Sequence, residues 1–141
     1  MSKKFYHGSS IFLPVGTILV PQSNYEDNWG HTDFYHILEK YRPNHCPAHR
    51  DAVFMCESDE DIDLAGGGTE FVFIVEPLGP VSKHDLNWGS EISANIVEPD
   101  GKINKDVEFF AKQYWAGVPH HNESVWEYLT TSARIIHVEE F

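Results

Sequence analysis

The chain alternates short apolar runs with glycine- and proline-containing breaks, a pattern that favours strands joined by tight connections. The breaks include Gly8-Ser9-Ser10 after the first run, Pro21 after the second, and Pro77 after the most β-branched run, EFVFIVE. Proline lacks a backbone donor and so ends a strand. Strands are therefore predicted at residues 4–7, 17–20, 52–56, 70–76, 125–129 and 133–138.

Two other segments repeat apolar residues at helical spacing. The apolar positions of the first, residues 32–41, are Phe34, Ile37, Leu38 and Tyr41. The second covers residues 106–115, and Gly117 lies where a helix-ending glycine is expected. A shorter helix is expected after Ser58, closed by the glycines at 66–68. The pattern predicts a compact α+β domain over residues 1–141, with a mostly antiparallel sheet and two main helices.

Composition and charge narrow the class of protein. The chain carries 22 acidic and 10 basic residues, a formal charge of −12, and no run of lysine or arginine. Such a field repels phosphate backbones, so a nucleic-acid partner is less expected. No apolar stretch approaches the roughly 20 residues that cross a bilayer, and MSKKFYHGSS holds no signal-like run. These features predict a reduced, cytoplasmic protein without a membrane partner, and a Cys46–Cys56 disulfide is the less favoured alternative.

Two places along the chain carry candidate chemistry. His7 ends a predicted strand and is followed at once by Gly8 and Ser9, so a ligand can approach the backbone beside an imidazole. Glu127 stands between two aromatic residues in VWEYL. A carboxylate buried there costs free energy unless it is paired or serves a site, whereas a wet sheet edge would leave it solvated.

These pieces occur in an order that resembles the ADP-ribosyltransferase superfamily. They are FYHGS near the start, Phe54 in the short apolar strand AVFMC, and Glu127 in a late strand. The matching branch carries His, Tyr and Glu at its three motif positions. FYHG together with IVEPLGP is similar to the rifamycin-inactivating ADP-ribosyltransferases, which have a similar length. The resemblance implies one ADP-ribosyltransferase-like domain with a split β-sheet core that uses NAD as co-substrate.

The resemblance also assigns roles to individual residues. His7 would hydrogen-bond the adenosine ribose and help to hold the nicotinamide amide, and Gly8 and Ser9 would line the same part of the NAD cleft. Phe54 stands where the family usually has tyrosine, so its ring can pack against nicotinamide but the contacts of the hydroxyl are lost. Glu127 would match the acid of the wider superfamily and contribute to both NAD binding and catalysis.

A second acid competes for the catalytic role. In the rifamycin-type branch the acid follows the segment that resembles IVEPLGP, which here points to Asp85 in SKHDLNW. Cleavage of the nicotinamide–ribose bond builds positive charge on the ribose, which a nearby carboxylate stabilises. We prefer Glu127, with His7 as the other catalytic residue, and keep Asp85 as the second candidate. The expected reaction is mono-ADP-ribosylation of a small molecule or a protein that the sequence does not identify.

Two other interpretations compete with the transferase. His45, Cys46, His49 and Cys56 bring soft ligands close in sequence, but their spacing matches no common zinc pattern, and no metal is expected. The alternative function is a transferase-like binding or inhibitory module that grips a basic partner without chemistry, because the chain is strongly acidic and Phe54 lacks the hydroxyl. Measured NAD turnover separates this module from the enzyme.

Overall fold

Helices separate groups of two or three strands along the described part of the chain. The computed structural model describes residues 4–21, 33–58, 70–94, 106–120 and 124–139. Its strands are β1 Phe5–Ser9, β2 Ile18–Leu19, β3 Val53–Met55, β4 Phe71–Pro77, β5 Ser82–Asp85, β6 Trp126–Thr130 and β7 Ala133–Val138. Its helices are α1 Asp33–Tyr41, α2 Leu86–Ala94 and α3 Asp106–Ala116, with a 3-10 turn at His49–Asp51. These elements confirm the predicted α+β class.

The strands form two antiparallel sheets that share one apolar core. The four-stranded sheet has the order β1-β4-β7-β2, and the three-stranded sheet has the order β3-β6-β5. Each strand pairing in both sheets is antiparallel, as the sequence predicted. The core between the sheets contains Phe5, Phe73, Val75 and Ile135 from the first sheet and Val53, Met55 and Tyr128 from the second.

Helices cover the opposite face of the three-stranded sheet. Leu129 of β6 belongs to this second core, and its helical members include Ile37, Leu38, Trp88, Ile92, Val107, Ala111, Tyr114 and Trp115. Side chains two residues apart on a strand point to the same face. Glu127 therefore points with Leu129 toward the helices, and away from the core between the sheets.

β1 connects the two sheets. Tyr6 exchanges two backbone hydrogen bonds with Cys56, with N–O distances of 2.8 and 3.0 Å. The predicted strand break after His7 is wrong, because Gly8 and Ser9 continue β1 and pair with residues of β4. Pairing with β4 satisfies their backbone groups, so tertiary contacts override the local preference of glycine for a break.

The structure contains a third helix, α2, where the sequence predicted only two main helices. Asn87 and Gly89 are weak helix formers, and they obscured the helical pattern. Trp88 stacks on Phe110 with ring centroids 5.8 Å apart, and a Cβ at Gly89 would lie 3.5 Å from the ring of Phe34. Packing against α1 and α3 thus stabilises a helix that local propensity does not favour.

Several smaller expectations can be compared with the described residues. Cys46 and Cys56 are both buried free thiols, so the disulfide alternative is wrong. Among the described helices none is long and apolar enough to cross a membrane. The short helix expected after Ser58, with the glycines at 66–68, lies outside the described residues.

The end of α3 gives the first testable prediction. Gly117 has φ +71°, and a Cβ there would lie 2.9 Å from the backbone oxygen of Lys83. The backbone N–H of Gly117 donates to the carbonyl oxygen of Tyr114, and the N–H of Val118 donates to the carbonyl oxygen of Gln113. These two hydrogen bonds cap the end of the helix. We expect Gly117→Ala to lower the free energy of unfolding by about 2 kcal/mol or more, since the positive φ alone costs about 1–2 kcal/mol.

Gly16→Ala is the matched control for this experiment. Gly16 has φ +96°, and a Cβ added there would meet no described residue within 4 Å apart from its chain neighbours. This variant therefore bears only the backbone cost of positive φ, roughly 1 kcal/mol. Urea unfolding of both variants measures the difference. Equal losses would contradict the steric conflict between residue 117 and Lys83.

Candidate functional site

The fold brings His7 of β1 into contact with Phe54 of β3. The Nδ1 atom of His7 lies 2.8 Å from the backbone oxygen of Phe54. A carbonyl oxygen only accepts, so Nδ1 donates and Nε2 of the neutral ring is left as an acceptor. Burial lowers the pKa of His7, and the hydrogen bond to Phe54 opposes this only in part. Two motif positions far apart in sequence thus meet where the sheets join.

Gly8 and Ser9 lie beside this contact as part of the strand. Gly8 is buried opposite Val72 of β4. The hydroxyl of Ser9 donates to the backbone oxygen of Ile11 at 2.8 Å and accepts from the N–H of Ile11 at 3.1 Å. Ser9 therefore closes a local turn directly after β1, and its hydroxyl shapes the chain that leaves the sheet junction.

Glu127 is buried at the centre of the helix-covered face. It is 3 % exposed, and its Oε2 atom accepts a hydrogen bond of 2.7 Å from the hydroxyl of Tyr114 on α3. Burial raises the pKa of Glu127 to about 7, and the Tyr114 hydrogen bond lowers it only in part. The expectation that this carboxyl is either paired or solvated is thereby decided in favour of pairing.

Two buried histidines flank Tyr114. Nε2 of His49 lies 2.8 Å from the Tyr114 hydroxyl, while the ring of His84 stacks on that of Tyr114 with centroids 4.7 Å apart. Nδ1 of His84 donates to the backbone oxygen of Tyr114 at 2.8 Å. Burial lowers the pKa of His49 to about 3 and that of His84 to about 4. Both rings are therefore neutral at the pH where Glu127 titrates.

The two halves of the candidate site are contiguous. The ring of His49 also contacts the ring of Phe54, with centroids 5.4 Å apart. A chain of contacts thus runs from His7 through Phe54 and His49 to Tyr114 and Glu127. Sequence reasoning did not identify His49 or Tyr114 as partners of Glu127. The available signal was the buried glutamate itself, since an acid in an apolar strand requires a donor.

Asp85 has a different environment from Glu127. Its Oδ1 accepts from the backbone N–H groups of Asn87 at 3.0 Å and Val125 at 3.1 Å, and its Oδ2 accepts from that of His120 at 2.8 Å. Burial alone would raise the pKa of this carboxyl, but these bonds and the Ser124 side chain together hold it below its usual value. Asp85 thus caps α2 and anchors the segment between α3 and β6.

Cys46, His49 and Cys56, which were considered as zinc ligands, each contact a different partner. Cys46 is held near the Ser82 side chain, and the thiol of Cys56 donates to the backbone oxygen of Ser58 at 3.2 Å. His49 bonds to Tyr114, as described above. Within the described ranges, no group of three or more His, Cys, Asp or Glu side chains is arranged to hold a metal ion.

The backbone hydrogen bonds of Asp85 predict that a variant without its negative charge is less stable. Asn at position 85 has one acceptor oxygen and presents an amide to backbone donors that need an acceptor. We expect Asp85→Asn to lower the free energy of unfolding by about 2–4 kcal/mol, because buried donors lose their charged partner. Asp51→Asn is the control, since that side chain is 65 % exposed. Equal urea midpoints for the two variants would contradict the anchoring role.

The raised pKa of Glu127, in contrast to the lowered pKa of Asp85, predicts that the stability of the protein depends on pH near neutrality. Its folded pKa of about 7 lies above the ordinary value of 4.5, so the folded protein binds this proton more tightly than the unfolded chain. The associated stability is fully present below pH 4.5 and is lost as pH rises through 7. Relative to Glu127→Gln, the wild-type free energy of unfolding should fall by up to about 3 kcal/mol across this window.

Urea unfolding at a series of pH values measures this difference. His49 and His84 titrate in both proteins, so subtraction of the two curves removes their contribution. A difference that stays constant with pH would mean that the Glu127 carboxyl is ionised throughout the range.

The residues that carry the family resemblance therefore fall into three environments. His7 and Phe54 meet at the sheet junction, Glu127 joins them through His49 and Tyr114, and Asp85 anchors the backbone near the start of β6. No protein-family model matches the chain, and no curated protein matches it in sequence.

Proposed function

We propose that this chain is an NAD-dependent mono-ADP-ribosyltransferase that cleaves the nicotinamide–ribose bond and transfers ADP-ribose to a small-molecule or protein acceptor. The observation that carries the proposal is the contact between His7 and Phe54. The backbone oxygen of Phe54 holds the His7 ring with Nε2 left as an acceptor, and Phe54 itself is partly exposed. A ribose hydroxyl can donate to Nε2 of His7, and nicotinamide can pack on the Phe54 ring.

The nearby acid supports the chemical step. When the bond between nicotinamide and ribose breaks, its electron pair leaves with nicotinamide and positive charge develops on the ribose. The acceptor then forms a new bond to the ribose carbon and releases its proton. An ionised Glu127 stabilises the positive charge, and its pKa of about 7 makes the ionised form available near neutral pH.

Burial of Glu127 sets a condition on this mechanism. Because only 3 % of the residue is exposed, its carboxyl touches NAD only when the surrounding side chains move to open a path. Asp85 is even less suited to the chemical step, since it is fully buried and its oxygens already accept backbone hydrogen bonds. Glu127 therefore remains the preferred catalytic acid, with Asp85 as the second candidate.

The same burial favours one alternative function. A transferase-like module that binds a basic partner without chemistry needs no accessible acid, and both candidate acids are buried here. The formal charge of −12 suits attraction to a basic surface. Such a module would still use the sheet junction as a structural element, but it would not release nicotinamide.

Nicotinamide release from NAD tests the proposal. The purified chain is incubated with NAD, alone and with cell lysate, and nicotinamide is followed by chromatography. Glu127→Gln should reduce release by roughly 100- to 1,000-fold, the usual effect of removing one electrostatic partner of a transition state, while NAD binding persists. His7→Gln should instead weaken NAD binding measured by calorimetry, because it removes the ring acceptor.

The control is His137→Gln, which changes an exposed histidine on β7 and should behave as wild type. Labelled adducts in the lysate would identify the class of acceptor. Wild-type protein that neither binds NAD nor releases nicotinamide would overturn the proposal and favour the binding module. Release that survives Glu127→Gln but is lost in a folded Asp85→Asn variant would transfer the catalytic role to Asp85.

A further inference from the structure

Three buried side chains from three different elements form one hydrogen-bonded chain. His49 belongs to the 3-10 turn, Tyr114 to α3 and Glu127 to β6. The Tyr114 hydroxyl lies 2.8 Å from Nε2 of His49 and 2.7 Å from Oε2 of Glu127. Each of the three residues is less than one-tenth exposed. The hydroxyl therefore bridges an imidazole and a carboxyl in a place that bulk water does not fill.

We propose that Tyr114 and His49 are positioning residues that hold the Glu127 carboxyl and reverse the direction of their hydrogen bonds when it gains or loses its proton. The catalytic meaning of this inference rests on the proposed transferase function. The hydrogen-bond arrangement itself is a property of the resting protein, and it can be measured without any substrate.

The reversal follows from counting hydrogens. A tyrosine hydroxyl carries one hydrogen, so it donates to one neighbour and accepts from the other. With Glu127 ionised, Tyr114 donates to the carboxylate and must accept from Nε2–H of His49. When Glu127 is neutral with its proton on Oε2, the oxygen that faces Tyr114, the acid O–H donates to Tyr114. Tyr114 then donates to Nε2, and His49 carries its hydrogen on Nδ1.

One proton leaves for solvent between these two states. The neutral state holds hydrogens on the Glu127 carboxyl, the Tyr114 hydroxyl and Nδ1 of His49. The ionised state holds them on the Tyr114 hydroxyl and Nε2 of His49. The charge of Glu127 is thus coupled to the tautomer of a histidine with which it shares no direct hydrogen bond.

Of the buried residues Glu127, His49 and His84, it is Glu127 that titrates near neutral pH. Burial keeps His49 and His84 neutral, with pKa values of about 3 and 4. Two groups from the segment after α1 also act on these histidines by their charge: Arg42 lowers the pKa of His49, and His45 lowers that of His84. Arg42 donates hydrogen bonds to the side chain of Glu39 and to the backbone oxygen of Cys46.

Nuclear magnetic resonance of the resting protein provides the first test. We expect the ¹⁵N shifts of His49 to change from the Nδ1–H to the Nε2–H pattern at the pH where the ¹³C signal of the Glu127 carboxyl titrates. In Glu127→Gln the tautomer should no longer change at that pH. In Tyr114→Phe the pKa of Glu127 should rise further, because the hydrogen bond that favours its ionised form is removed.

Tyr41→Phe is the matched control. Tyr41 is a partly buried tyrosine packed against the same helical core, and removal of its hydroxyl should leave both titrations unchanged. If Tyr114→Phe proves too unstable to study, His49→Gln serves as the second variant, since it retains a donor but has no tautomers. A His49 tautomer that stays constant while wild-type Glu127 titrates would overturn the proposal.

The pH profile of nicotinamide release provides the second test. The wild-type rate should rise with pH through about 7. Tyr114→Phe should move the midpoint of this rise to higher pH. The rate below the midpoint should then fall roughly tenfold for each pH unit that the midpoint moves, and it should recover at higher pH. A purely structural defect would lower the rate equally at every pH.

The two tests separate the two proposals. A coupled titration of Glu127 and His49 in a protein that releases no nicotinamide would support the hydrogen-bond reversal and contradict the transferase function. Nicotinamide release with the wild-type pH profile in folded Tyr114→Phe would support the transferase and overturn the positioning role.

Discussion

A carboxyl group in the apolar layer between the helices and the three-stranded sheet is the constraint around which this structure is arranged. Glu127 lies on the same face of β6 as Leu129, which belongs to the apolar core under the helices. Left alone there, the carboxyl would cost several kcal/mol in lost hydration. The Tyr114 hydroxyl supplies its donor, so α3 must lie where that hydroxyl can reach the strand, and Gly117 ends the helix at the sheet edge formed by Lys83.

The two buried acids show how hydrogen-bond supply decides the charge of a carboxyl group. Asp85 accepts from backbone groups of Asn87, His120 and Val125, and these dipoles favour its ionised form. Glu127 receives one hydroxyl donor, which does not offset burial. Asp85 therefore keeps its charge near neutral pH and has a structural role, whereas Glu127 changes its charge there.

Sequence patterns predicted the described strands other than β5 better than the contacts between them. The range 133–138 agrees with β7, and the run EFVFIVE predicted β4 to within one residue at each end. α2 was missed because its stability comes from Trp88 and Gly89 packing on other helices, which local spacing does not encode. The resemblance singled out His7 and Phe54, which the structure brings into contact through the Phe54 backbone oxygen. The partners of Glu127 depend on the register of α3 against the sheet, which no motif records.

The anchoring of Asp85 also has an evolutionary consequence. Its carboxylate binds the backbone at His120 and again at Val125, directly before the strand that carries Glu127. The backbone on both sides of the intervening segment is therefore tied to one side chain, which also contacts the side chain of Ser124. A substitution at Asp85 consequently releases all of these contacts at once, whereas a substitution at any one partner releases a single contact. Selection is therefore expected to act more strongly on Asp85 than on the residues that it anchors.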